Sequence, residues 1–85
     1  MSVKDKVAMI TGAASGIGQA LAVELAERGI KALGLVDRSE NVLKVARSIN
    51  DFRGGSIAEG IVGDTTDPVF RARAYDLVQG KYGTP

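Results

Sequence analysis

Apolar residues in this chain alternate between short unbroken runs and longer stretches where they recur every three to four positions. Val7-Ala8-Met9-Ile10 is the first run and predicts a strand over Val7–Thr11, buried on both faces. A helix is predicted from about Ile17 to Arg28. Its apolar stripe is Ile17, Leu21 and Leu25, widened by Ala20 and Val23, and Gly29 ends it in a left-handed conformation. Ala32–Val36 predicts a second strand, in which Gly34 signals close approach by a group above the sheet. Asp37-Arg38-Ser39 forms a turn with Ser39 as helix cap. A second helix over Glu40–Phe52 presents Val42, Val45, Ala46 and Ile49 on one face, extended by Leu43 and Phe52, until Arg53-Gly54-Gly55 breaks the pattern. Ile57–Val62 is a third strand, placed near an edge by Glu59 and Gly60. Asp67-Pro68 starts a third helix that runs to Tyr82, carries Phe70, Ala74, Leu77 and Val78, and stops at Gly83.

Strands alternating with helices imply an α/β fold with a parallel sheet and right-handed crossovers. The length of 85 residues makes one small domain or a piece of a larger one. At 45% hydrophobic and 25% charged, the chain is expected to bury a core rather than stay disordered. Net charge is +1, which leaves no electrostatic footprint for nucleic acid or an anionic membrane. The absence of cysteine excludes disulfides and thiolate metal sites, and the absence of histidine argues against zinc. The charged start, Met1-Ser2-Val3-Lys4-Asp5-Lys6, lacks the apolar segment of a secretory signal, so a cytoplasmic location is the default expectation.

Thr11-Gly12-Ala13-Ala14-Ser15-Gly16-Ile17-Gly18 lies between the first strand and the first helix, the context in which a glycine-rich turn cradles phosphate. Unpaired N–H groups and the positive end of the helix dipole favour an anion there. Gly12 lets the chain leave the strand, Gly16 and Gly18 allow close approach of a pyrophosphate, and Ser15 can add a hydroxyl. No Gly-Lys-Ser/Thr follows, so the turn is not a P-loop.

Asp37 ends the second strand nineteen residues after Gly18, the interval expected of an acidic residue that accepts hydrogen bonds from a ribose. Its charge repels a 2′-phosphate and favours NAD over NADP. Arg38 pulls the other way, since a guanidinium at this turn can pair with that phosphate. Asp64 ends the third strand, where a carboxylate can accept from the adenine amino group and Thr65 can offer its backbone. The plainer alternatives are a capping aspartate at 37, a solvated arginine at 38 and a turn-forming aspartate at 64.

Together with Val36-Asp37-Arg38, Gly63-Asp64-Thr65-Thr66-Asp67 and the lead-in Lys4-Asp5-Lys6-Val7, the Thr-Gly-x-x-x-Gly-x-Gly turn resembles the opening of a short-chain dehydrogenase/reductase. The resemblance covers all 85 residues, about the first third of an enzyme of roughly 250. It implies the amino-terminal part of a single NAD(P)-binding Rossmann domain over 1–85. That is three βα units in strand order 3-2-1, truncated before the fourth strand. It further implies cofactor contacts at Gly12, Ser15, Gly16, Ile17, Gly18, Asp37, Arg38, Asp64 and Thr65.

The implied parent is an oxidoreductase that moves hydride between a nicotinamide and an alcohol or carbonyl of a small-molecule substrate. It assembles as a homo-oligomer, and 3-oxoacyl-thioester reductases and polyol or hydroxysteroid dehydrogenases are typical. The family's Asn-Asn-Ala-Gly segment, catalytic serine and Tyr-x-x-x-Lys pair are absent. Tyr75 has Gln79 four residues on, and Tyr82 has no such partner. The 85 residues are therefore expected to be catalytically inactive alone. The first strand, as a sheet edge, is expected to leave the chain marginally stable. A non-catalytic dinucleotide-binding module is the alternative from another class, and a ligand-free structural domain is a third.

Overall fold

A computed structural model describes residues 2–85. Six elements alternate along the chain: β1 (Val7–Thr11), α1 (Gly16–Glu27), β2 (Ala32–Asp37), α2 (Asn41–Arg53), β3 (Ala58–Val62) and α3 (Pro68–Tyr82). The strands form one parallel sheet in the order β1-β2-β3, so both predicted edges are edges. Val7 pairs with Ala32 and Leu33 with Ala58 in register. The bond from the Gly63 N–H to the Asp37 carbonyl (2.9 Å) carries the ladder past the last paired residues.

The two-residue side-chain period of a strand divides the core in two. Ile10, Leu33, Leu35 and Ala58 face α1 and α2, where Ala22, Ala26, Val42, Val45, Ala46 and Ile49 meet them. Val7 and Ala32 face α3 and pack against Val78, with Met9, Ile61 and Tyr82 alongside. Gly34 is the close approach that its place in a strand foretold: a Cβ there would lie 2.5 Å from Val78 Cγ2 and 3.3 Å from Met9 Cγ.

Four expectations change. The stripe predicted for α1 is covered only in part: Leu25 and Val23 pack half-buried on the core, but Ile17 is 89% exposed and Leu21 46%, and the fully buried residues are Ala22 and Ala26. The glycine turn is responsible. A Cβ at Gly18 would strike the Gly12 carbonyl, so the start of α1 lies hard against the turn and alanines face the sheet. Leu43, Phe52 and Leu77 do not extend the buried faces of their helices and stay largely exposed. Strand β1 is only half-buried at Ala8 and Met9, because it has one neighbour instead of two.

Strand β3 begins at Ala58 rather than Ile57, because Asn50 takes over the backbone there. Its Oδ1 accepts from the N–H groups of Ile57 (2.8 Å) and Ala58 (2.7 Å), and its Nδ2 donates to the Ala58 carbonyl (2.9 Å). Arg53 Nη1 donates to the carbonyls of Ala26 (3.1 Å) and Ile30 (2.9 Å), tying the end of α1 to α2. The Tyr82 hydroxyl donates to the Ser56 carbonyl at 3.2 Å, so this tyrosine anchors α3.

Candidate functional site

The carboxyl ends of the strands and the start of α1 form one rim. Gly12 and Gly16 have φ of +66° and +59°, a region that side chains with a Cβ rarely adopt, so these glycines set the path of the turn. Ser15 precedes α1 in extended conformation with no side-chain capping bond, which leaves its hydroxyl available. The first bond into α1 runs from the Gln19 N–H to the Ser15 carbonyl (3.3 Å), so the N–H groups of Gly16, Ile17 and Gly18 have no preceding turn to bond. No acidic residue in the first turn offsets the positive end of the helix. Ile17 projects into solvent beside these groups.

Asp37 is built into the turn. Its Oδ2 accepts from the Ala14 N–H (2.9 Å), and its Oδ1 accepts from the Ser39 N–H (3.0 Å). These N–H groups, Ser39 first and Ala14 next, hold the carboxyl below the usual carboxylate range, with a smaller push from the Arg38 N–H. The Asn41 side chain donates to the Ala14 carbonyl at 2.7 Å, so both backbone groups of Ala14 are bound by side chains from β2 and α2. Each oxygen of Asp37 keeps a lone pair beyond these bonds, enough to accept from a vicinal diol. Ser39 stands one residue further out than expected: Glu40 takes the cap position of α2 without a side-chain bond, and Ser39 Oγ accepts from the Asn41 N–H at 3.1 Å.

Asp64 lies on the loop after β3. Its Oδ1 accepts from both the N–H (2.9 Å) and the hydroxyl (2.7 Å) of Thr66. Its Oδ2 lies 3.1 Å from Arg38 Nη2. The Thr66 hydroxyl is the main reason its pKa is lowered, followed by the Thr66 N–H, with Arg38 adding less. The Thr65 carbonyl accepts from Arg71 Nη1 at 3.1 Å. Asp67 caps α3 through the Val69 N–H (2.9 Å), as its place before Pro68 foretold.

The residues expected as cofactor contacts, from Gly12 to Gly18 and at Asp37, Arg38, Asp64 and Thr65, therefore lie at the carboxyl ends of the strands and the start of α1. Gly18 serves helix packing, and Ile17 stands free. The sequence reading missed Ala14 and Asn41, which carry no local signal because their partners come from distant segments. It also missed Thr66, which the Asp-x-Thr spacing of a side-chain-bonded turn could have revealed.

The short chain dehydrogenase family model matches residues 6–84. The chain belongs to that family. Within it, the chain is 35% identical over 83 residues to the 3-oxoacyl-(acyl-carrier-protein) reductase FabG of Escherichia coli, covering 98% of itself and 32% of that protein. The L-sorbose reductase of Gluconobacter frateurii, solved with NADPH and L-sorbose, superimposes with a TM-score of 0.87 at 31% identity over 98% of this chain and 31% of that one. A 3-ketoacyl-ACP reductase from Sinorhizobium meliloti gives 0.82 at 37% identity, over 91% of this chain and 29% of its own. This short-chain dehydrogenase sequence thus spans about a third of the length of these relatives. Its three-stranded parallel sheet with flanking helices is the Rossmann-type arrangement expected of the family. Among the described residues, no helix is long and apolar enough to cross a membrane.

Proposed function

We propose that these residues bind the adenosine and pyrophosphate portion of a nicotinamide dinucleotide, NAD in preference to NADP. They would form the amino-terminal part of an oxidoreductase that transfers hydride between nicotinamide and an alcohol or carbonyl. The observation that carries this reading is the Asp37 carboxylate bonded to the Ala14 N–H of the glycine turn, beside an α1 amino terminus with no acidic residue in its first turn. The pyrophosphate would lie on the N–H groups of Gly16, Ile17 and Gly18, with Gly12 shaping the turn and Ser15 donating a hydroxyl. Asp37 would accept from the ribose hydroxyls, and its charge would oppose a 2′-phosphate. Asp64 and Thr65 would face the adenine, and exposed Ile17 would pack on the dinucleotide. Tyr75 and Tyr82 stand outside the Tyr-x-x-x-Lys pattern, so proton transfer is assigned to groups beyond these residues. The similarity to a 3-oxoacyl-(acyl-carrier-protein) reductase and to an L-sorbose reductase supports a carbonyl substrate of one of these kinds.

Calorimetric titration with ADP-ribose tests the reading without needing the nicotinamide half of a site. Saturable binding that Asp37→Ala weakens at least tenfold is expected, as two charge-assisted hydrogen bonds of about 1.5 kcal/mol or more would be lost. No binding at millimolar ligand by chain with native circular dichroism, or binding indifferent to Asp37→Ala, would overturn it.

A further inference from the structure

Arg38 follows Asp37 directly, and a free guanidinium there would be a ready partner for a 2′-phosphate. It is not free. Arg38 Nη2 lies 3.1 Å from Asp64 Oδ2, across the carboxyl ends of β2 and β3. The ladder bond from the Gly63 N–H to the Asp37 carbonyl (2.9 Å) keeps those two ends adjacent. Thr66 fixes the rotation of the carboxylate, because its N–H and hydroxyl both donate to Oδ1 and leave Oδ2 for Arg38. Asp37, Arg38 and the Asp64 carboxylate paired with it together carry a net charge of −1.

We propose that Asp64, oriented by Thr66, selects the unphosphorylated dinucleotide indirectly, by holding the Arg38 guanidinium away from the ribose 2′ position. Asp64 acts here through Arg38 and is a specificity-determining residue whatever it also does toward adenine. The pair is exposed, 72% at Arg38 and 42% at Asp64, so it biases the guanidinium rather than locking it. Its effect should fall as salt is added. This inference rests on the dinucleotide reading above and adds a second source of NAD preference, separate from the charge of Asp37.

The test compares ADP-ribose with 2′-phospho-ADP-ribose, titrated calorimetrically into the parent chain, Asp64→Asn, Thr66→Val, Arg38→Ala and the Arg38→Ala/Asp64→Asn double variant. The quantity read is the ratio of the two dissociation constants, which cancels any effect on adenine common to both ligands. Asp64→Asn should shift the ratio toward the phosphorylated ligand by about two- to fivefold at low salt, the range that exposed ion pairs support. Thr66→Val should shift it the same way by less. The shift should vanish when Arg38 is already alanine.

An unchanged ratio in Asp64→Asn, with both ligands still bound, overturns the proposal and leaves the dinucleotide reading standing. A full shift that persists without Arg38 overturns it in favour of plain charge repulsion by Asp64. Failure of the parent chain to bind either ligand removes the dinucleotide reading and this inference with it.

Discussion

Gly34 lies under Val78, and the contact decides how closely α3 sits on the sheet. A Cβ at position 34 would be 2.5 Å from Val78 Cγ2, far inside van der Waals contact, and 3.3 Å from Met9 Cγ. Val78 is fully buried and heads the cluster that joins α3 to β1 and β2. Gly34→Ala should therefore lift α3 and cost about 1–3 kcal/mol of overpacking. The gain of replacing glycine in a strand interior returns about 0.5–1 kcal/mol of that.

Val78→Ala removes two buried methyl groups and should cost about 1.5–3 kcal/mol through lost transfer energy and the cavity left behind. In the double variant, the new methyl at 34 occupies the space vacated at 78. The two changes should then cost less together than their sum, with a coupling of about 1–2 kcal/mol. Urea unfolding followed by far-ultraviolet circular dichroism, in trimethylamine N-oxide if the parent baseline is short, gives all four stabilities. Additivity within about 0.5 kcal/mol, or a Gly34→Ala chain more stable than the parent, would refute the packing argument.

Asn50→Ala should destabilise the chain by about 2–4 kcal/mol, because three hydrogen bonds to the start of β3 are lost together. Amide exchange at Ile57 and Ala58 should accelerate most, and uniform acceleration across the sheet would count against a local clamp. Asp67→Ala removes the cap on the Val69 N–H and should cost about 1 kcal/mol, read as a lower urea midpoint with unchanged slope. The pKa of Asp37 is lowered on folding from an ordinary value of 3.8, so its contribution is fully present above 3.8 and is lost as pH falls through the folded-state value. Asp64 acts in the same direction. The fall in stability as pH drops below 3.8 should be shallower in Asp37→Asn than in the parent, and identical slopes would show that the Ser39 and Ala14 N–H groups do not favour the ionised carboxylate.

Much of this was legible along the chain. The order and kind of all six elements follow from runs and periodicities, and β1 and α3 fall on their predicted residues because Thr11-Gly12 and Asp67-Pro68 are strong local boundaries. The face of α2 was legible too, since its four buried residues are its sharpest periodic pattern. Rim residues such as Gly12, Gly16 and Asp37 were recoverable because each answers a local demand: a left-handed turn, an open helix start, a strand end.

What the tertiary structure decided is what depends on distance between segments far apart in sequence. Periodicity offered Ile17, Leu21 and Leu25 as the inner face of α1, but the Gly18–Gly12 approach brings the helix so near the sheet that Ala22 and Ala26 are its fully covered residues, with Leu25 half-buried beside them and Ile17 and Leu21 exposed. The double hold on Ala14, from Asp37 and Asn41, spans 23 and 27 residues. The pairing of Arg38 with Asp64 exists only because β2 and β3 lie side by side. Local sequence carries the conformational preferences of each segment. Which of its side chains is covered, held or left free is settled by what the sheet brings within a few ångströms of it.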